Sequence, residues 1–181
     1  MMNNYCKGIV IVQRKEEYYF LQYLKCNFHL PIKVFLVNLD GKITNLKKIE
    51  YLLNDKKICK EIYLEKEKNE IKNFSIILVL NINDIKDIKN KNEYLEKEYF
   101  KELWFEKYVV PIYMNCNFKD LLVGIGAIDE REKLETTTYM NLVPINDFEM
   151  AKLAIKKLIK KLEMNKESNF KILLEKCLEF L

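Results

Sequence analysis

A layered α/β fold with a mostly parallel sheet is what this sequence predicts. Two short apolar runs, Ile76–Leu80 and Tyr108–Tyr113, show no polar alternation, the mark of strands buried on both faces. A charged, helix-like stretch containing Glu98, Glu102 and Trp104 lies between them. Strand, helix, strand in that order is a parallel crossover unit. At 181 residues and 49% hydrophobic, the chain is one domain with a sizeable core, or one domain with an appendage.

The elements follow in order. Gly8–Gln13 is a strand built on Ile9–Val12. Lys15–Phe28 reads in two ways. As a helix it spaces Tyr19, Tyr23 and Cys26, and also Phe20 and Leu24, along its length. As a strand it forms a hairpin with Ile9–Val12, in which case the fold is α+β. The intervening Arg14–Glu17 has no glycine or asparagine for a tight turn, which favours the helix. Ile32–Val37 is the next strand, entered through Pro31, and Asp40-Gly41 is a turn. Thr44 or Asn45 caps a helix through Asp55 with Leu46, Ile49, Leu52 and Leu53 on its apolar face. Ile58–Leu64 is a short strand, and Glu65–Lys72 is charged surface. Phe74–Leu80 is the central strand, Asp84–Phe105 is mostly helical, and Tyr108–Met114 is the next strand.

Asn117–Leu134 starts as a loop and contains Gly124 and Gly126. Leu142–Ile145 is expected as a final edge strand, where Pro144 is tolerated. Asn146 and Glu149 resemble a capping box for a helix running from Phe148 to about Met164, with Phe148, Ala151, Ile155, Leu158 and Leu162 on one stripe. Asn165–Asn169 breaks it before a last helix carrying Leu173, Leu174, Cys177, Leu178 and Leu181. The sum is a doubly wound, flavodoxin-like three-layer sandwich with a mostly parallel five-stranded sheet and an added C-terminal helix. Residues 1–164 form the α/β domain and 165–181 the helical appendage.

Composition excludes several chemistries. The net charge is only +4 and Arg14 and Arg131 are the sole arginines, which argues against a nucleic-acid partner. The five cysteines are scattered and form no CxxC, as expected of buried free thiols in a reducing cytoplasm and not of a zinc site. No signal peptide and no apolar run of spanning length is present, so no membrane partner is expected. Gly124-Ile125-Gly126 lacks the third glycine and the preceding strand of a dinucleotide loop. His29, the only histidine, precedes Leu30-Pro31 and reads as a surface or capping residue. Ser75 begins a buried strand outside any GxSxG. The remaining candidates are groups at the carboxyl edge of the sheet: Asp40, Asn81, Asp84, Glu98 and Glu102.

Ile71-Lys72-Asn73-Phe74-Ser75 before Ile76–Asn81, the stretch Tyr94–Trp104, and Val109-Val110-Pro111-Ile112-Tyr113 together resemble the second half of a TIR (Toll/interleukin-1 receptor) domain of bacterial type. Leu121–Asp129 resembles that family's following loop and strand, and Phe148–Leu162 its last helix. Asn81 stands where the family usually has serine, and the tryptophan that usually precedes its glutamate is absent. The resemblance implies cleavage of the N-glycosidic bond of NAD in antiviral defence or cell-death signalling. Glu98 would be the carboxylate that stabilises positive charge on the ribose, with Glu102 in reserve. Asp40, Asn81, Asp84 and Trp104 would contact the ligand. NAD would be the substrate, with no cofactor and no metal, and a site completed by a neighbouring copy would make the protein a homo-oligomer. The alternative is a non-catalytic module that senses a small nucleotide and signals through oligomerisation.

Overall fold

The computed structural model describes residues 6–37, 51–53, 64–65, 70–71, 73–85 and 88–181. Among them, strands β1 (Gly8–Val12), β2 (Ile32–Leu36), β5 (Ser75–Asn81) and β6 (Val109–Met114) form one sheet in the order β2-β1-β5-β6. Every pairing is parallel. The two apolar runs are direct neighbours, with Ile76 beside Val109 and Asn81 beside Met114. A separate antiparallel pair joins β3 (Leu64–Glu65) to β4 (Glu70–Ile71).

The pleat sends alternate side chains to opposite faces. Val10, Val12, Ile77, Val79, Ile112 and Met114 belong to one core. Ile9, Ile11, Ile76, Leu78, Leu80 and Val109 belong to the other. The first core is roofed by α1 (Lys15–Phe28), α3 (Phe118–Gly124), α4 (Thr136–Leu142), α5 (Phe148–Glu163) and α6 (Lys171–Phe180). The second is covered by Leu53, by Tyr94 of α2 (Ile88–Leu95), and by Phe100 and Phe105 from the turns after it. Tyr94 fixes that layer. Its buried hydroxyl lies 2.9 Å from the Leu78 carbonyl and 3.0 Å from that of Ile112, sharing one O–H between two adjacent strands. Burial pushes its ionisation well above the usual tyrosine range.

Lys15–Phe28 is a helix, not the second arm of a hairpin. Its buried stripe is Phe20, Leu21, Leu24 and Phe28, and Tyr23 anchors it further by donating from its hydroxyl to the Val143 carbonyl at 2.6 Å. Tyr19 and Cys26 face outward. His29 ends the helix in the left-handed region at φ 50°, its N–H donating to the Lys25 carbonyl, as befits a capping residue.

Two expectations require correction. The described sheet has four strands, because Leu142–Ile145 is not a strand. Leu142 closes α4, and the Val143 N–H donates back to the Tyr139 carbonyl while its own carbonyl takes the Tyr23 proton. Val143 is thereby engaged before any ladder can form, and Pro144 has no N–H to offer one. The exposed edge of β6 is closed instead by residues 167–169. Asn115 N–H donates to the Glu167 carbonyl at 2.7 Å, and Tyr113 N–H donates to Asn169 Oδ1 at 2.7 Å. Met114 and Ser168 form an antiparallel bridge, so that edge is not left open. The second correction concerns Asn117. Its side chain accepts from Asp120 N–H and starts α3 where a loop was expected.

Smaller differences follow the same logic. Asp147, not Asn146, caps α5, accepting from the Glu149 and Met150 N–H groups. Among the described residues of 84–105, one α-helix, α2, is followed by a short 3-10 turn at Glu98–Phe100. In α6, Leu173, Leu174 and Cys177 are buried in the same core as α1 and α5. Phe180 reaches β1, where a Cβ on Gly8 would stand 3.3 Å from its ring. The Asp40-Gly41 turn, most of the 44–55 helix and most of the 58–64 strand lie outside the described residues.

Candidate site at the carboxyl edge

The chain leaves β1 onto one face of the sheet through α1 and leaves β5 onto the other through α2. Neighbouring strands whose connections diverge define the topological switch point, outside whose carboxyl ends α/β sheets take ligands. Here the carboxyl ends are Gln13-Arg14 after β1 and Asn81-Ile82-Asn83-Asp84 after β5.

The two ends are joined by charge. Arg14 Nη2 lies 3.1 and 3.0 Å from the two carboxylate oxygens of Asp84. The side chains are 37% and 40% exposed, so the pair contributes only about 0.2–1 kcal/mol. The hydrogen bond to Asp84 holds the guanidinium still more firmly in its charged form. Asn81 is buried, and its side chain accepts from Asn83 N–H at 3.0 Å, capping the 3-10 turn that carries Asp84. Asn83 donates from its amide to the Asn115 carbonyl, tying this turn to the end of β6.

Glu17 follows in the first turn of α1. It is 2% exposed although charged by type, and its Oε2 has no hydrogen-bond partner. Burial pushes its carboxyl up to about 7, while its own backbone N–H and Arg14 pull the other way. Glu16 and Asp84 add to the upward push, and Tyr139 faces it from α4, its phenol driven to about 12 by burial and by Glu16 and Glu17. Gln13 Oε1, also buried, is likewise unpartnered. Neither Glu17 nor Gln13 is among the residues the sequence points to. The available signal was phase, since Glu17 precedes Phe20, Leu21 and Leu24 at helical spacing and so shares their buried stripe.

The sequence-predicted residues divide into two groups. Asn81 and Asp84 are together at the carboxyl edge. Glu98 and Glu102 are not with them. α2 descends from the carboxyl edge, and Tyr94 near its end is already level with Leu78 in mid-strand. Glu98 follows in a turn that leads to Val109, which pairs with Ile76 at the amino end of β5. There it forms an exposed pair with Lys101 at 3.0 Å. Glu102 is exposed with a left-handed backbone at φ 71°. Trp104, half-exposed, stands edge-on to Phe105 at 5.6 Å. Asp40 lies outside the described residues.

Other reactive groups have ordinary settings. Burial raises the Cys116 thiol, with Asp120 and Glu167 adding to it, and raises Cys177 to about 12, which withholds the thiolate a nucleophile needs. Among the described residues no group of three or more His, Cys, Asp or Glu side chains is placed to hold a metal, and no helix is long and apolar enough to cross a membrane. Comparison with protein-family models, with curated proteins and with solved structures finds no match to this chain.

Proposed function

We propose that this chain is a nucleotide-binding signalling module of flavodoxin-like architecture that takes its ligand at the carboxyl edge between β1 and β5. The strand order β2-β1-β5-β6 with divergent connections supports the flavodoxin-like reading, and the stretches that resemble a TIR domain supply the inner strand β5 and the edge strand β6 beside it. One observation carries the functional reading. Arg14, Asn81, Asn83 and Asp84 come from distant parts of the chain and meet at the switch point, where the fold class takes ligands.

Binding is favoured over NAD cleavage because the carboxylates expected to act on the ribose stand apart from this edge. A cleavage site needs its carboxylate within reach of the reacting sugar, and Glu98 is instead held by Lys101. The test is calorimetric titration of the full chain with nucleoside monophosphates, repeated with Arg14→Ala and Glu98→Gln. The reading expects saturable binding, weakened at least about tenfold by Arg14→Ala through loss of a charged contact and unchanged by Glu98→Gln. No binding by any nucleotide, or equal binding by Arg14→Ala, overturns it.

A further inference from the structure

We infer that the β1–α1 turn receives the exocyclic amino group of a nucleobase, hydrogen-bonded to Glu17 and Gln13, and does not receive the phosphate. This rests on the nucleotide reading above and reverses the usual use of a first strand-to-helix turn, where helix N–H groups hold the anion.

Three features carry the reversal. The turn Val12-Gln13-Arg14-Lys15 contains no glycine, so its backbone cannot close on a phosphate as glycine-rich loops do. Glu16 and Glu17 already occupy the positive first turn of α1, and a phosphate beside them meets like charge. The unpartnered buried atoms are Glu17 Oε2, an acceptor in the ionised carboxylate, and Gln13 Oε1. Buried acceptors are normally paired, and Glu17 is 2% exposed. What completes them is a donor, and an amino group on a flat ring supplies two N–H bonds.

Arg14 and Asp84 stand at the same strand ends. Their pair is exposed by more than a third on both sides and weak enough to part. Parting frees Arg14 as the cation for the ligand's phosphate, which fixes the orientation: base inward under α1, phosphate outward on Arg14.

The probes are AMP and CMP, which bear the amino group, and IMP and UMP, which bear a carbonyl in its place. The expected result with the full chain is at least about tenfold tighter binding of each amino nucleotide than of its oxo counterpart, the discrimination set by an unpaired buried acceptor. Glu17→Leu brings that ratio close to one while circular dichroism stays native. Gln13→Leu is the second variant, expected to lower the ratio if Glu17→Leu fails to fold. Equal binding of amino and oxo nucleotides by the parent chain overturns this inference and leaves the nucleotide site standing. A preference that survives in both variants overturns it equally. Failure of all four nucleotides to bind overturns the site itself.

Discussion

Replacing Glu17 by glutamine should change how stability depends on pH, and the size follows from the structure. The carboxyl is buried and lies at about 7 against an ordinary 4.5. An acid raised in the folded state is favoured there when protonated. Below about pH 4.5 it is protonated in both states and costs nothing. As pH rises, the unfolded chain ionises first, and the folded state falls behind until its own carboxyl ionises near 7. The interval between the two values, at 1.36 kcal/mol per pH unit, is about 3 kcal/mol, fully expressed above pH 7. Glutamine has the same shape and no charge. Urea unfolding of both proteins from about pH 4.5 to pH 8.5 reads the difference directly. The glutamine variant should match the parent at the acid end and gain up to about 3 kcal/mol over it at the alkaline end. Arg14 lowers the Glu17 carboxyl while Glu16 and Asp84 raise it, so Arg14→Ala should leave the onset of the rise in place and extend its upper end to higher pH. A difference that is flat with pH, or that grows toward acid, refutes the reasoning.

Three further outcomes are expected. Tyr94→Phe removes the shared hydroxyl contact to Leu78 and Ile112 and should cost about 1–3 kcal/mol in urea unfolding, since two buried carbonyls lose a donor. Asn169→Ala removes both its bond from Tyr113 N–H and its bond to the Pro111 carbonyl. It should cost about 1–3 kcal/mol and speed amide exchange at Tyr113, read by hydrogen exchange. Gly126 sits at φ 60° with open space where a Cβ would stand, so Gly126→Ala should cost about 1 kcal/mol of backbone strain alone, measured as a lower midpoint of thermal unfolding.

The strands were legible because burial on both faces removes the polar punctuation that other elements carry. Ile76–Leu80 and Val109–Ile112 needed no partner to be recognised, and their parallel pairing follows from the helix between them. The phase of α1 was harder. Of the two helical rows expected, Phe20 and Leu24 are packed together with Leu21, while Tyr19 and Cys26 of the other row face outward and only its Tyr23 is buried, because aromatic residues serve equally on a surface. Leu142–Ile145 had strand composition, and the contact that overrides it comes from Tyr23 in a different element. The closure of β6 by residues 167–169 depends on short polar side chains, Ser168 and Asn169, reaching strand backbone. No local propensity encodes that.

The site was half legible. Asn81 and Asp84 follow from the rule that ligands gather where parallel strands end. The ion pair between Arg14 and Asp84 does not follow from sequence, because it depends on β1 lying beside β5. Glu98 came from the resemblance of Tyr94–Trp104 to a TIR stretch, and position along the chain does not say which end of the sheet a connection has reached. Tyr94, level with Leu78, shows that α2 has passed mid-strand before Glu98 begins.

Chemical-shift mapping of the labelled protein with AMP tests the nucleotide site most directly. The largest shifts should fall on Gln13, Arg14 and Glu17 and on Asn81 to Asp84, at the ends of β1 and β5. Shifts concentrated on Glu98 to Trp104, or no shifts at saturating nucleotide, would contradict it.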